Sequence, residues 1–452
     1  MHREITAIGG KKKVILRQTP RAVTPFGGLS VLIEFLEKIS YHEQVSEHMP
    51  VHLRSPNAID PAETYTAFLM AVVAGARRFA HTALLRADRA LHVLLGMQRF
   101  PTDGTIRNLF KRFTQGMVVQ FYEPLWAWQV KRLPQRGEGY SLDLDSTVFE
   151  RYGEQEGVKK GYNPKKPGRG SHHPLLAVLA EAQFVLHGWL RSGNTTAGRG
   201  VVEFRKEALA KLPGKEWIRV LRADSGFFDQ ALLEYLESVG LRYIVVARMT
   251  KWLKREAAQV QQWRALDATY AVGEFQLQLW GWDRPRRFVV VREQLREEKR
   301  SPGRKLLEVP GYTFRVFVTN LSGAPEEIWR DYNQRACMEQ RIEELKSDLA
   351  ADDFCLREFF ATEAAFLGIL MLFNLLAEFQ RASGMSGYRQ PATLRVQVFL
   401  CGAILGRAGH RAVLHLSSAW GGLETRNPLH DRILAYQIPT SRKLELQPQA
   451  TG

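Results

Sequence analysis

The stretch that decides the fold is YSLDLDSTVF, residues 140–149, a short β-like segment with aspartates near its end. The β-like segments that follow it are LLAVLAEAQFVLHGWL (175–190), WIRVLRADS (217–225) and LRYIVVARM (241–249). Helix-periodic segments at about 200–212 and 229–239 lie between them, which predicts an α/β core rather than a β-sandwich. Asp145 and Asp224 fall at strand ends, where the catalytic groups of open α/β sheets gather.

The regions outside this core differ from it in their periodicity. Residues 60–132 are mostly helix-periodic and contain scattered arginines and lysines, which suit either a DNA-end-binding module or a helical module with solvated charged faces. The sequence therefore predicts an N-terminal arm (1–55), a helical DNA-end-binding domain (56–135), the first part of the core (136–248), a mostly β insertion (249–324), the catalytic helix and following helix of the core (325–385) and a C-terminal region (386–452).

The charge of the chain favours a polyanionic partner. Lys and Arg total 63 against 47 Asp and Glu, which gives a formal net charge of +16. Phosphate contacts with counterion release make nucleic acid the first candidate, ahead of an anionic membrane surface. The most apolar stretch, 359–379, is interrupted by Glu363, Asn374 and Glu378, so it predicts a buried helix rather than a membrane span.

The compartment is predicted from two further features. The N-terminal twenty residues have no apolar run behind Lys11, Lys12 and Lys13, so no secretory signal is predicted. The three cysteines are too scattered for a zinc site or a disulfide framework. A reducing, cytoplasmic setting is expected.

A second group of candidate residues lies in the late segment IWRDYNQRACMEQRIEELKSDL, residues 328–349. Arg335, Glu339 and Lys346 follow Tyr332 by three, seven and fourteen residues. On one continuous helix these positions fall within roughly 60° of one another, which places a carboxylate beside cationic groups suited to a phosphodiester. An ordinary charged helix face is the alternative, because Glu343 and Glu344 are also present.

The pattern Tyr-x2-Arg-x3-Glu-x6-Lys resembles the signature of a large group of bacterial insertion-sequence transposases of the DDE type. LDLDST with Asp145, GYNPKKPGRGSHHPLL, RADSGFF with Asp224 and the late motif together are similar to the insertion-sequence family numbered thirteen-eighty, a relative of the family numbered four. The resemblance runs from about residue 25 to 435, with its specific motifs between 140 and 346.

The resemblance implies an RNase H-like catalytic core, interrupted by the β insertion and preceded by a helical N-terminal domain. It implies cut-and-paste transposition in a bacterial, nucleoid-associated setting, with cleavage at terminal inverted repeats, strand transfer into target double-stranded DNA and a homodimer in the synaptic complex. Asp145, Asp224 and Glu339 are the expected ligands of two Mg²⁺ or Mn²⁺ ions, since such ions prefer oxygen ligands. Tyr332, Arg335 and Lys346 are expected to position DNA phosphate.

Several assignments stay open at this stage. Asp143 rivals Asp145, because residues two apart on a strand share a face. A basic stretch after the first strand, comprising Lys159, Lys160, Lys165, Lys166 and Arg169, suits either a phosphate contact or a solvated loop. His172 and His173 are expected to be structural. Trp280, Trp282 and Tyr312 are expected to pack in the core, although relatives stack a flipped base on an aromatic of the insertion.

Two other functions are alternatives to transposition. An RNase H-like, metal-dependent nuclease would use the same carboxylates without strand transfer. An inactive, domesticated DNA-binding protein would need no set of metal-holding carboxylates.

Overall fold

The computed structural model describes residues 3–6, 10, 13–163, 166–294, 312–420 and 423–439. Its helices are α1 (Leu29–Lys38), α2 (Tyr41–His48), α3 (Pro61–Val73), α4 (Thr82–Leu85), α5 (Arg89–Leu94), α6 (Asp103–Phe110), α7 (Gln115–Val130), α8 (Val201–Ala210), α9 (Gln230–Ser238), α10 (Lys251–Gln259), α11 (Pro325–Asn333), α12 (Ala336–Glu343), α13 (Phe359–Ala382), α14 (Pro391–Leu394) and α15 (Leu423–Ala435). Its strands are β1 (Arg3–Thr6), β2 (Lys13–Leu16), β3 (Val23–Thr24), β4 (Tyr140–Ser146), β5 (Phe149–Glu150), β6 (Lys159–Lys160), β7 (Gly170–His172), β8 (Leu175–Leu179), β9 (Phe184–Trp189), β10 (Ile218–Ala223), β11 (Tyr243–Val246), β12 (Arg264–Ala265), β13 (Tyr270–Leu277), β14 (Arg286–Gln294), β15 (Tyr312–Thr319), β16 (Ala403–Ala408) and β17 (Arg411–Leu416).

A mixed nine-stranded sheet forms the centre of the protein, in the order β12-β13-β14-β15-β11-β10-β4-β8-β9. The strands β4, β10 and β11 are parallel, and the remaining pairs are antiparallel. Parallel strands buried on both faces are expected to be rich in apolar residues, as β10 and β11 are. The predicted α/β class is confirmed.

The region predicted as an insertion joins this sheet. Its strands β12 to β15 pair with one another, and β15 then pairs with β11 of the core. The helix α10 also lies in this region. The boundaries of the predicted domains stay predictions.

The long apolar helix α13 packs against β9 and α7. By length and composition it could cross a membrane, but 83% of its most apolar window is buried inside the protein, as expected for a core helix. Its polar residues have partners there, because Asn374 bonds with both the backbone nitrogen and oxygen of Val185 and Glu378 accepts from Arg132 at 2.7 Å. These contacts explain why polar residues interrupt an apolar run.

The segment that carries the late motif departs from the expected single helix. It forms α11, then α12, then one π-helical turn, Glu344–Asp348. Pro325 starts α11, and the carboxylate of Glu327 accepts from the backbone nitrogen of Ala324 at 3.1 Å, an arrangement that suits a helix N-terminus. The break near Arg335 means that the four motif residues do not share one regular helical stripe.

Candidate active site

Two aspartates lie side by side at the carboxyl ends of adjacent parallel strands. Asp145 is near the end of β4, and Asp224 directly follows β10. The strands are in register, with Leu144 opposite Ala223, so the next residue on each strand is an aspartate. Adjacent parallel strands therefore bring the two predicted carboxylates together at the carboxyl-terminal ends of the central strands, which we call the sheet edge.

The carboxylate of Asp145 is buried and engaged at both oxygens. Its Oδ1 accepts from the backbone nitrogen of Ser146 at 2.7 Å, and its Oδ2 lies 3.0 Å from the guanidinium of Arg335. Burial raises the pKa of Asp145 to about 6, with Asp224 adding to the rise and Arg335 opposing it. Burial therefore makes the charged form of Asp145 unfavourable, and a cation beside it, here Arg335, offsets part of that free-energy cost.

Asp143 has a different environment from Asp145, although only one residue separates them. The side chains of Asp143 and Arg222 are each 1% exposed and form a bidentate pair at 2.7 and 2.9 Å. Arg222 also donates to the backbone oxygen of Asp331 on α11 at 2.7 Å. We name Asp143, Arg222 and Asp331 the arginine clamp. Because Asp143 is fully buried in the clamp whereas Asp145 lies opposite Asp224 at the strand ends, Asp145 is the better candidate for the site.

Tyr332 and Arg335 lie next to the aspartates but are buried. Tyr332 is 7% exposed, and its ring packs 4.8 Å from that of Phe317. Arg335 is 6% exposed and donates to the backbone oxygen of Leu144 at 2.8 Å as well as to Asp145. Both side chains face the protein interior in this conformation, so a direct DNA contact would require them to be uncovered.

Glu339 is exposed on α12, and the part of the chain that the structure describes contains no group of three or more His, Cys, Asp or Glu side chains able to hold a metal ion. The oxygen donors of Asp145 and Asp224 suit a hard divalent cation, which would relieve their mutual repulsion. The residues present therefore fit a metal in part. Glu339 does not complete a three-carboxylate set here.

Lys346 reaches toward the loop that follows the first catalytic strand. Its Nζ donates to the backbone oxygen of Val148 at 3.2 Å and lies 3.9 Å from Asp352. It thereby ties the π-helical turn to the chain just beyond Asp145.

The basic stretch forms an exposed surface beside this loop. A small sheet in the order β5-β7-β6 carries Lys159 and Lys160, both exposed. Lys166 and Arg169 are exposed in the turn that leads into β7, while Lys165 lies outside the described residues. The cations are therefore placed where a polyanion can reach them.

The two histidines of this region have the structural environment that the sequence predicts. His172 bonds with the backbone oxygen of Glu156 at 2.8 Å, and burial lowers its pKa to about 4. His173 bonds with the backbone oxygen of Thr195 at 2.7 Å. Both rings have hydrogen-bond partners on the backbone.

The aromatic residues of the insertion divide into two kinds. Trp282 stacks with Phe288 at 5.9 Å, as expected for packing. Trp280 is 93% exposed in the connection between β13 and β14, so the expectation of core packing is wrong for this residue. Tyr312 is partly buried, with Arg292 5.0 Å from its ring.

Two features were missed by reasoning from sequence. The sequence shows Arg222 inside the apolar strand IRVLRA, which signals a buried charge. Its pairing with Asp143 follows only from the strand register. Tyr152, just beyond β5, is 72% exposed and lies among the basic residues. A tyrosine within Arg-Tyr-Gly gives no periodic signal of that placement.

An α/β sheet with two aspartates at neighbouring strand ends, beside a basic surface, suits an enzyme that acts on nucleic acid. The model of the family described as Transposase DDE domain group 1 matches residues 6–436. The chain belongs to that family. It is a DNA transposase, and the DDE transposase predicted from the sequence is confirmed.

Among proteins of curated function, none matches the chain. A solved structure that is similar to it is the cryo-EM structure of a piggyBac transposase synaptic complex with hairpin DNA, at 13% identity and a TM-score of 0.45, with 84% of this chain and 82% of that chain covered.

Proposed function

We propose that the protein is a cut-and-paste transposase of a bacterial insertion sequence, related to the families numbered four and thirteen-eighty, with an RNase H-like core. The observation that carries the proposal is the Asp145–Asp224 pair at adjacent strand ends in a chain of the DDE family. Its substrate is double-stranded DNA at the terminal inverted repeats. Its setting is the bacterial cytoplasm, in association with the nucleoid.

In this proposal the catalytic carboxylates are Asp145, Asp224 and Glu339. Mg²⁺ or Mn²⁺, two ions for each site, would activate the attacking water or 3′-hydroxyl and stabilise the leaving oxygen. Asp145 and Asp224 lie at neighbouring strand ends. For Glu339 to join them, α12 would have to approach the two aspartates, because the described residues do not bring three acidic side chains together here.

The cationic residues have the supporting roles. The phosphate backbone is contacted by the basic stretch, Lys159, Lys160, Lys165, Lys166 and Arg169. The phosphate at the site is positioned by Arg335, Lys346 and Tyr332, which requires that Arg335 leave its contact with Asp145. Two copies of the chain hold two transposon ends in a synaptic homodimer. Charge is the support for the DNA contacts, because exposed cations bind phosphates through counterion release.

The test is a reaction of the purified protein with Mg²⁺ and a plasmid that carries the DNA flanking its own coding sequence. Cut positions mapped on both strands should lie at the repeat ends, and the excised 3′ ends should be joined to a target plasmid. Cleavage without joining would identify a nuclease instead. Binding without cleavage under Mg²⁺ and Mn²⁺ would identify an inactive DNA-binding protein.

A further inference from the structure

An open pocket lies on the basic surface, a few residues beyond the candidate active site. Its volume is about 640 Å³, within the usual size range of ligand sites. The side chains that line it include the cations Arg151, Lys160, Lys166 and Arg169, the single acid Glu154 and the exposed ring of Tyr152. The pocket is therefore cationic and has one large aromatic surface.

The ring of Tyr152 is held in place although it is 72% exposed. Lys166 donates to the hydroxyl oxygen of Tyr152 at 3.1 Å and to Glu150 at 2.8 Å, and the tyrosine hydroxyl itself donates to Glu150 at 3.3 Å. The guanidinium of Arg169 lies 4.7 Å from the ring centroid. A fixed, exposed ring between two cations is preorganised for a flat ligand that carries negative charge.

The pocket adjoins the site through the chain that follows Asp145. Phe149 and Glu150 form β5, and Lys346 of the late motif contacts the backbone oxygen of Val148 and lies 6.0 Å from the ring of Phe149. Tyr152 therefore follows Asp145 by seven residues, on a segment that Lys346 ties to the late motif.

We propose that Tyr152 stacks on an unpaired nucleobase of the DNA strand at the active site while Lys160, Lys166 and Arg169 hold the adjoining phosphates. The proposal rests on the proposed function, since it assumes that DNA lies at the aspartate pair. Stacking platforms flanked by cations bind single strands without reading sequence. A contact with paired DNA would use the cations alone, because bases inside a duplex do not expose their faces to a side chain on the surface.

The experiment compares two DNA probes of random sequence, a blunt duplex and the same duplex with a short single-stranded tail. Affinity is measured by fluorescence anisotropy at one fixed salt concentration, and a 2-aminopurine in the tail reports stacking by the loss of its fluorescence. Tyr152→Ala removes the ring, and Tyr152→Phe keeps the ring but removes the hydroxyl. Tyr162→Ala is the matched control, because Tyr162 is 73% exposed on the same basic segment and no cation among the described residues lies over its ring.

Tyr152→Ala should weaken binding of the tailed probe about tenfold, leave the blunt probe unchanged and abolish the quenching. Tyr162→Ala should behave as the wild type. Tyr152→Phe should keep the quenching and lose less affinity than Tyr152→Ala, because the ring remains but its hydrogen bonds to Lys166 and Glu150 are lost. An equal loss on both probes, a loss on neither, or the same loss in Tyr162→Ala would overturn the proposal. If the wild type binds neither these probes nor DNA that carries the repeat ends, the proposed function fails instead. Circular dichroism of each variant shows whether its fold is intact.

Discussion

The two regions that supply the candidate active site are built in opposite ways. At the sheet edge, β4 and β10 are adjacent and in register, so Asp145 and Asp224 are placed by the backbone hydrogen bonds of a central sheet. The segment from Pro325 to Asp348 is divided into two short helices and a π-helical turn, and the motif carboxylate Glu339 is exposed to solvent. Strand register positions the two aspartates, whereas the position of Glu339 depends on the contacts that the divided helical segment makes with the rest of the protein.

The arginine clamp is one of several links between these regions. Arg222 lies on β10, Asp143 lies on β4 and Asp331 lies on α11, so one guanidinium joins the sheet edge to the start of the helical segment. Beyond the clamp, α12 has Met338 and Arg341 buried and Glu339 and Glu343 exposed. We therefore expect substitutions at the sheet edge to lower the cleavage rate or the free energy of unfolding. Substitutions in the helical segment should instead affect whether Glu339 reaches the two aspartates, or the local stability of that segment.

The largest effect is expected from Asp145→Asn. It should lower the rate of metal-dependent DNA cleavage at least about a thousandfold, because a carboxylate that holds the metal contributes several kcal/mol of transition-state stabilisation. DNA binding, measured by anisotropy, should persist, and Asp224→Asn should behave in the same way. Cleavage within tenfold of wild type in either variant would remove that residue from the catalytic set.

The next effect concerns stability and is expected from Arg222→Met. This change leaves the buried carboxylate of Asp143 without its partner and should cost about 3 kcal/mol of unfolding free energy, measured by urea denaturation. The double variant Asp143→Leu with Arg222→Met removes both buried charges and should recover part of the loss. If the single variant is as stable as the wild type, the clamp does not connect the sheet edge to α11.

A smaller effect is expected from Glu339→Gln, with Glu343→Gln as its matched control. Both glutamates are exposed on α12, so neither change should lower the melting temperature. Glu339→Gln should slow cleavage about a hundredfold if Glu339 reaches the aspartates, since it removes one charged ligand. Equal activities of the two variants would show that α12 supplies no catalytic carboxylate.

The smallest effect is expected from Tyr388→Phe. Glu344 is 1% exposed in the π-helical turn, and the hydroxyl of Tyr388 donates to it at 2.6 Å. Loss of a hydrogen bond to a buried carboxylate should cost about 1.5 kcal/mol. Hydrogen exchange should rise across residues 336–348 and stay constant at the sheet edge. Faster exchange in β4 would mean that the two regions unfold as one unit.

The sequence predicts the sheet edge better than the helical segment. The aspartates of LDLDST and RADSGFF follow buried strands, and parallel strands place their carboxyl ends together, so this part of the fold follows from local pattern. The break near Arg335 and the π-helical turn leave no mark on the periodicity, because every residue there is a tolerable helix former. They depend on long-range contacts such as Glu344 with Tyr388, which no local pattern encodes.

The small sheet of β3, β16 and β17 joins a strand near the N-terminus to two strands near the C-terminus. This part of the fold can therefore form only after most of the chain has been synthesised. Thr24 pairs with Ala403, and Phe35 of α1 lies 6.4 Å from Tyr436. Contacts between residues so distant in sequence form late, because the intervening chain must first be ordered. Phe35 also packs against Phe379 of α13 at 5.8 Å, so during synthesis α1 lacks only part of its covering until the region around residue 435 has been made. A chain cut short before residue 403 would lack both C-terminal contacts and leave part of the apolar face of α1 exposed to solvent.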